Sequence, residues 1–554
     1  MHAKAKFVSI AVLLLQAGIS IPSLSTDYFV SQSGSNLDGD GSFSNPWQTL
    51  EYAMDRLNPG DVLYIRAGEY HEQLISVRDG SAEAPITVAA YGNELVYIDG
   101  AGVTTGNNGC LLSHSHMKFR GFNVRNWRDD GMSFYGCSYL ELKKITITAV
   151  TGGISMKGTV HDFLIDSCII YDYYGGAGGY GLDCTPEGET DLIYKGTVQN
   201  CKAYITAGAF DNADGFALGH DGVSDIRFHN CETWGIGDGF DISGTDIVLT
   251  NCAASKATYG GGYKLWRNNV TLINCIGYDN GVNVELDYDA VARRGVAARL
   301  INCTLHTCYV ANVGIENPGG GNTLQLFNCI ISGGENTGLN FYGDSISCYT
   351  GDYNLWHMSA PERAVATGQM DFSLTQIDNG EWTAASGQDA HSRVESDAGS
   401  LFLDSSRYAP DLRLRAGSRA INGGAMVKDA PSADFNGFPR GEPIDIGAYE
   451  FGSGNAFDAP QDPQAGWSVT ASYPEPVTAA GLHVTIEYRT PEAAMVTLSV
   501  ADAIGRTVRV LDAGFMDAGI HRVVFMPGAL PVGTYFYVLR SGATVTARKC
   551  LVVR

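Results

Sequence analysis

Apolar and polar residues alternate with period two through the middle of the chain, and the alternation repeatedly ends in the same way. The lines Phe163 to Cys168, Ile226 to Cys231, Ile247 to Cys252, Val270 to Cys275, Ala298 to Cys303 and Leu324 to Cys329 each close on Asn-Cys or, at Ser167-Cys168, on a substitute. Period two puts one set of side chains on a core face and the other set away from it, so each line predicts a β-strand. Cys201, Cys231, Cys252, Cys275, Cys303 and Cys329 fall 30, 21, 23, 28 and 26 residues apart. A helical repeat keeps a fixed period, whereas coils of a parallel β-helix accept loops of different length, so the spacing predicts an all-β parallel β-helix.

A second phrase recurs in the same coils. Ala213-Asp214-Gly215-Phe216-Ala217-Leu218, Gly237-Asp238-Gly239-Phe240-Asp241-Ile242 and Gly260-Gly261-Gly262-Tyr263-Lys264-Leu265 share one pattern of glycine, apolar and variable positions. Stacked as successive coils, Asp214 lies beside Asp238 and then Gly261, and Ala217 lies beside Asp241 and then Lys264. Because Phe216, Phe240 and Tyr263 take the inward positions, the intervening side chains are expected to face solvent. The outward column reads Ser133, Ser155, Asp183, Ala217, Asp241, Lys264, Asn283, Glu316 and Asn340. The bland account is a solvated strand face; three carboxylates beside one amine are concentrated enough to be weighed against it.

The flanks read differently. Lys4 and Lys6 before an apolar run from Phe7 to Leu15, followed by small residues, predict an export signal over residues 1–25. That run is too short for a transmembrane span, and no later stretch is long enough. Ser44-Asn45-Pro46 is expected to cap a short helix through Trp47, Leu50, Met54 and Leu57, within an N-terminal cap over about 26–70. The β-helix is expected over 26–451, with a closing segment at about 357–451 that contains Asp434-Phe435-Asn436-Gly437 and Asp445-Ile446-Gly447-Ala448-Tyr449-Glu450. Residues 452–466, rich in Gly, Ala, Pro and Asp, read as a linker. Short strands at Val484–Tyr488, Val496–Val500, Gly505–Val508, Gly519–Val523 and Gly533–Val538 predict a β-sandwich of immunoglobulin-like type over 467–554.

A net charge of -23 over 554 residues argues against a nucleic-acid partner and means that an acidic ligand needs a cation to approach. The 13 cysteines are explained as an inward column of small apolar groups; an odd count spaced by coils is a poor disulfide framework, and no Cys-x-x-Cys pair suggests zinc. His220-Asp221 has no serine elbow to complete a triad. Arg267, Arg293 and Arg294 follow the lysine and are either solvated loop residues or partners for a substrate carboxylate.

In order and spacing, Asn212-Ala213-Asp214-Gly215-Phe216, Gly237-Asp238-Gly239-Phe240-Asp241 and Gly262-Tyr263-Lys264-Leu265 resemble the active-site region of family 9 pectate lyases. The resemblance implies a right-handed parallel β-helix, with Asp214, Asp238 and Asp241 as Ca2+ ligands and Lys264 as the base that starts β-elimination on an acidic, polygalacturonate-like polysaccharide. Gly237 departs from the family pattern, which has two consecutive aspartates there. The chemistry is coherent: removing the proton next to a uronate carboxylate requires that carboxylate to be neutralised, and calcium accepts six to eight oxygens, about half of which three aspartates leave open. The final ninety residues, opened by Tyr473-Pro474-Glu475-Pro476, resemble a type IX secretion sorting domain, which implies the type IX machinery as a partner and a secreted or surface-attached protein; a monomer is expected. The alternatives are a non-catalytic glycan-binding or adhesive β-helix, and a glycoside hydrolase that uses the aspartates as acid and base.

Overall fold

The computed structural model describes residues 25–453, apart from 93, 174–177, 207–212, 220, 258–259, 289–292, 319, 335, 360 and 408–409, and residues 467–553, apart from 474–476, 479–483, 492–493, 503–505, 517–518, 526–529, 532 and 543. The expected signal, the linker and His220 therefore lie wholly or almost wholly outside the described residues.

Three parallel ladders make up the solenoid. The first has 13 strands, from Asp27–Val30 to Tyr349–Asp352. The second runs from Gly68–Tyr70 to Arg393–Val394, and the third from Leu74–Ile75 to Val365–Ala366. Ile276–Leu286 and Thr304–Ile315 are long enough to belong to both the second and third. One apolar core runs through the coils from Val30 to Val394.

The Asn-Cys pattern has a physical cause. Asn200, Asn230, Asn251, Asn274, Asn302 and Asn328 all turn the chain with φ between 52° and 55°, the left-handed region that asparagine tolerates better than most residues. Their amides also bond between coils, Asn230 Nδ2 donating to Asn200 Oδ1 at 2.8 Å and Asn274 Nδ2 to Asn251 Oδ1 at 3.1 Å. The cysteine that follows points inward, where its thiol donates to a backbone carbonyl, as Cys275 Sγ does to Leu249 O at 3.4 Å. None of the 13 cysteines, all buried, is in a disulfide.

Glycine in the second phrase is equally determined. A Cβ on Gly153, Gly181, Gly215 or Gly239 would lie 2.2, 2.5, 2.4 or 2.4 Å from the carbonyl oxygen of the equivalent glycine one coil on. Behind this glycine column, Phe216, Phe240 and Tyr263 stack at 5.3 and 5.1 Å between ring centroids and fix the rise from coil to coil.

One flanking expectation is corrected. The N-terminal helix is one turn, Leu50–Met54, and is capped by Thr49, whose side chain accepts from Tyr52 N, not by Ser44. Trp47 is not helical because it forms a β-bridge with Val30. The segment after Trp356 contains the short helices Leu374–Asp378, Glu381–Ser386 and Ala398–Leu401 and then runs along the asparagine turns. Asn328 Nδ2 donates to Ala425 O at 2.8 Å, Asn302 Nδ2 to Asp445 O at 3.0 Å, and buried Arg440 bonds both Asn274 Oδ1 and Glu450.

The C-terminal unit consists of a three-stranded antiparallel sheet, Ser468–Tyr473, Val484–Thr490 and Gly519–Phe525, and a five-stranded sheet containing Ala494–Asp502, Thr507–Met516, Gly533–Ser541 and Thr544–Val553. Ile486, Tyr488, Leu498, Val500 and Tyr537 share one apolar core.

Candidate functional site

Four adjacent strands of the third ladder, Gly179–Cys184, Ala213–Leu218, Asp238–Ile242 and Gly261–Leu265, carry the site. Their register pairs Asp214 with Asp238, Asp183 with Ala217, Ala217 with Asp241, and Asp241 with Lys264. Since in-register residues on parallel strands sit about 4.8 Å apart, the two phrases converge on one patch. Asp214, Asp238 and Asp241 each present a carboxylate oxygen within 4.8 Å of the others.

The backbone beneath them is held firmly. Tyr173, buried in the core, donates its hydroxyl to Asp214 O at 2.8 Å, and Gly261 N donates to Asp238 Oδ1 at 2.6 Å. Lys264 Nζ donates to Asp238 Oδ2 at 3.4 Å, and Trp266 Nε1 donates to Asp241 Oδ1 at 2.6 Å. The same ammonium stands 4.9 Å from the centre of the Trp266 ring.

These side chains were expected to face solvent, and they are instead half-buried: the Lys264 and Asp238 side chains are 23% and 16% exposed. Burial, followed by the charges of Asp241 and Asp238, pushes Asp214 up to about 8. Burial and Asp238 push Asp241 up to about 7, against the pull of Lys264 and Trp266. Burial disfavours the charge on Lys264, but Asp238, Asp241, Glu285 and Asp287 outweigh it and hold the amine above the ordinary lysine value. The patch as it stands is acidic groups short of positive charge.

A cleft of about 420 Å³ opens beside the patch, lined by Asp183, Thr185, Asp214, Asp241, Trp266 and Arg267 among others. Arg267 reaches this cleft while its Nη1 donates to Asp221 Oδ1 at 3.1 Å, the oxygen that Arg294 Nη1 also contacts at 3.1 Å. Arg293 is exposed, at a left-handed turn with φ of 54°.

The outer column departs from the expected one past Lys264. Its next members are Glu285, Gly314 and Asn340, not Asn283 and Glu316. Asn283 faces inward, wholly buried, in an amide chain in which Asn280 Nδ2 donates to Asn283 Oδ1 at 2.8 Å and Asn283 Nδ2 to Asn312 Oδ1 at 2.7 Å. Ser133 and Ser155 hold their expected places but are fully buried, Ser133 Oγ donating to Asp130 Oδ2. Sequence reasoning missed Glu285 and Trp266. Glu285 is one residue on from the inward Val284 and so faces outward, and Trp266 is two residues on from Lys264 and so shares its face.

Residues 28–296 match the family model described as Pel9A-like, right handed beta helix region. Among curated proteins, the chain is 35% identical over 79 residues to pectate lyase PEL9 of Emericella nidulans, a stretch that is 14% of this chain and 19% of that protein. It is 36% identical over 95 residues to the uncharacterized protein YwoF of Bacillus subtilis, 17% of this chain and 20% of the other. It is 30% identical over 135 residues to lacto-N-biosidase of Bifidobacterium longum, 22% of this chain and 8% of that one. The alignments thus span 20% or less of the length of these relatives. Among solved structures, pectate lyase Pel9A matches with a TM-score of 0.44 and 18% identity, covering 79% of this chain and 98% of that one. A rhamnogalacturonan lyase matches with a TM-score of 0.35 and 15% identity, covering 73% and 97%. The family match covers just under half of the chain, and over residues 28–296 the chain is similar to the Pel9A-like right-handed β-helix regions.

Proposed function

We propose that this protein is an exported polysaccharide lyase that cleaves an acidic, pectate-type uronan by calcium-assisted β-elimination, with Lys264 as the base and Asp214, Asp238 and Asp241 as the calcium ligands. The observation that carries the reading is the meeting of three carboxylates within 4.8 Å and a lysine amine 3.4 Å from one of them.

The residues fit a hard divalent cation. All three donors are carboxylate oxygens, the ligand type calcium prefers, and three of them leave places for water and substrate. Asp214 and Asp241 are costly as anions in their present surroundings, which is what a site awaiting positive charge looks like. When bound, calcium would offset the carboxylate field that keeps Lys264 protonated and would stabilise the negative charge that develops on the substrate carboxylate.

Lys264, with burial then favouring its neutral form, takes the proton from the ring carbon next to the uronate carboxylate. The electron pair left behind forms the ring double bond as the bond to the glycosidic oxygen breaks, and that oxygen takes a proton from solvent. Arg267, at the edge of the cleft, is placed to meet a carboxylate of the substrate. We assign the C-terminal unit the role of a type IX sorting domain of immunoglobulin-like form, in keeping with a secreted or surface-held enzyme.

A second reading is favoured by one observation. Asp214, held protonated up to about pH 8, beside a further carboxylate is also an arrangement for acid-assisted glycoside hydrolysis. Mass analysis of products from polygalacturonate separates the two: elimination yields fragments whose masses sum to that of the substrate, hydrolysis adds one water per cut, and intact polymer despite measurable binding would mark a glycan-binding protein.

A further inference from the structure

Trp266 touches both halves of the proposed machinery. It follows the strand Gly261–Leu265, and its backbone is tied in by its N–H donating to Ile242 O at 2.9 Å. Being two residues on from Lys264, it projects from the same face of the chain. Its indole N–H takes Asp241 Oδ1 at 2.6 Å, while its ring lies under the Lys264 ammonium at 4.9 Å. That short hydrogen bond occupies one oxygen of the Asp241 carboxylate and restricts how the group can turn, while Asp241 keeps a carboxylate oxygen within 4.8 Å of those of Asp214 and Asp238. The ring face attracts the ammonium and gives it a resting place to one side of Asp241, its partner in strand register.

We propose that Trp266 is a positioning residue that couples the carboxylate cluster to Lys264: its N–H orients Asp241 toward a cation, and its ring holds the lysine amine in place beside that cation. This rests on the lyase reading above. It extends that reading to a residue that bears no charge of its own and that the sequence does not single out.

The test is calcium binding by the full chain, followed calorimetrically, with turnover as a second readout. Trp266→Phe keeps an aromatic ring, though a smaller one, beside Lys264 and removes the N–H. Calcium affinity should fall by about 10–100-fold, the usual effect of removing a partner that orients a metal ligand, while turnover returns at saturating calcium. Trp266→Leu loses the ring as well, and turnover should stay low, by roughly tenfold or more, at saturating calcium. In an Asp241→Asn background, Trp266→Phe should change affinity little, because the residue it orients has lost its charge. A merely structural role for the indole predicts equal losses in both backgrounds, and that result would overturn the inference. So would wild-type affinity in the phenylalanine variant. Calcium binding by neither wild type nor variant would instead remove the calcium reading itself, and this inference with it.

Discussion

Lys264 and Asp241 are register partners on adjacent strands, yet the lysine amine bonds the diagonal neighbour Asp238 at 3.4 Å, and Asp241 is left to the indole of Trp266. One amine therefore serves three carboxylates. Burial first, and then the charges of the neighbouring aspartates, displace Asp241 upward to about 7 and Asp214 to about 8.

Lys264→Ala is expected to abolish elimination and to leave the fold intact, since the side chain supplies a proton acceptor and little packing. Lys264→Arg should fail equally, because a guanidinium stays protonated at any working pH. Absorbance of unsaturated product together with the circular dichroism of each variant checks this; an active arginine variant would point to another base.

The pH dependence has a definite sign. Asp214 and Asp241 bind protons more tightly in the folded protein than at the ordinary aspartate value of about 3.9, so without metal the stability they contribute falls as pH rises from about 4 toward about 8 and then levels off. Over the same window calcium affinity should rise, because protons compete for the same oxygens. Thermal melts and calcium titrations at about pH 5.5 and 8 test both trends. Asp214→Asn should flatten the melt trend and weaken calcium binding by roughly tenfold or more.

Gly237 does not adopt the left-handed conformation, so its backbone does not by itself demand glycine. Gly237→Asp is expected to tighten calcium binding by adding a fourth carboxylate and to lower the melting temperature of the metal-free protein by adding to an uncompensated cluster. Calorimetry and melts with and without chelator read the two effects separately.

The glycine column gives a test of the fold. Gly239→Ala places a methyl 2.4 Å from Gly262 O, a backbone atom that cannot swing aside. A destabilisation of about 1–3 kcal/mol is expected, measured by denaturant unfolding.

The solenoid was legible because one coil repeats three independent signals: period-two alternation, an asparagine at a left-handed turn, and a small inward cysteine. Asp214 over Asp238, and Asp241 beside Lys264, followed from aligning two phrases in neighbouring coils of nearly equal length. The register failed at Asn283 and Glu316, where Ile276–Leu286 passes from one ladder to the next as a single strand and an irregularity falls between Asn280 and Val282. No loop marks that corner, so a motif match landed two residues early at Asn283. The lean of Lys264 toward Asp238 and the half-burial of the aspartates depend on Trp266 and on the neighbouring coils, which strand periodicity does not encode. The path of the closing segment along the asparagine turns was equally hidden, because it is set by amide bonds from coils more than a hundred residues earlier, such as Asn302 to Asp445.

The most direct test of the central claim is a calcium titration of wild-type protein on polygalacturonate, followed by the ultraviolet absorbance of unsaturated product, with Lys264→Ala alongside. The account predicts no absorbance in chelator, a saturable rise with calcium for the wild type, and none for the variant at any calcium concentration. Full turnover in chelator, or product formation by the alanine variant at saturating calcium, would contradict it.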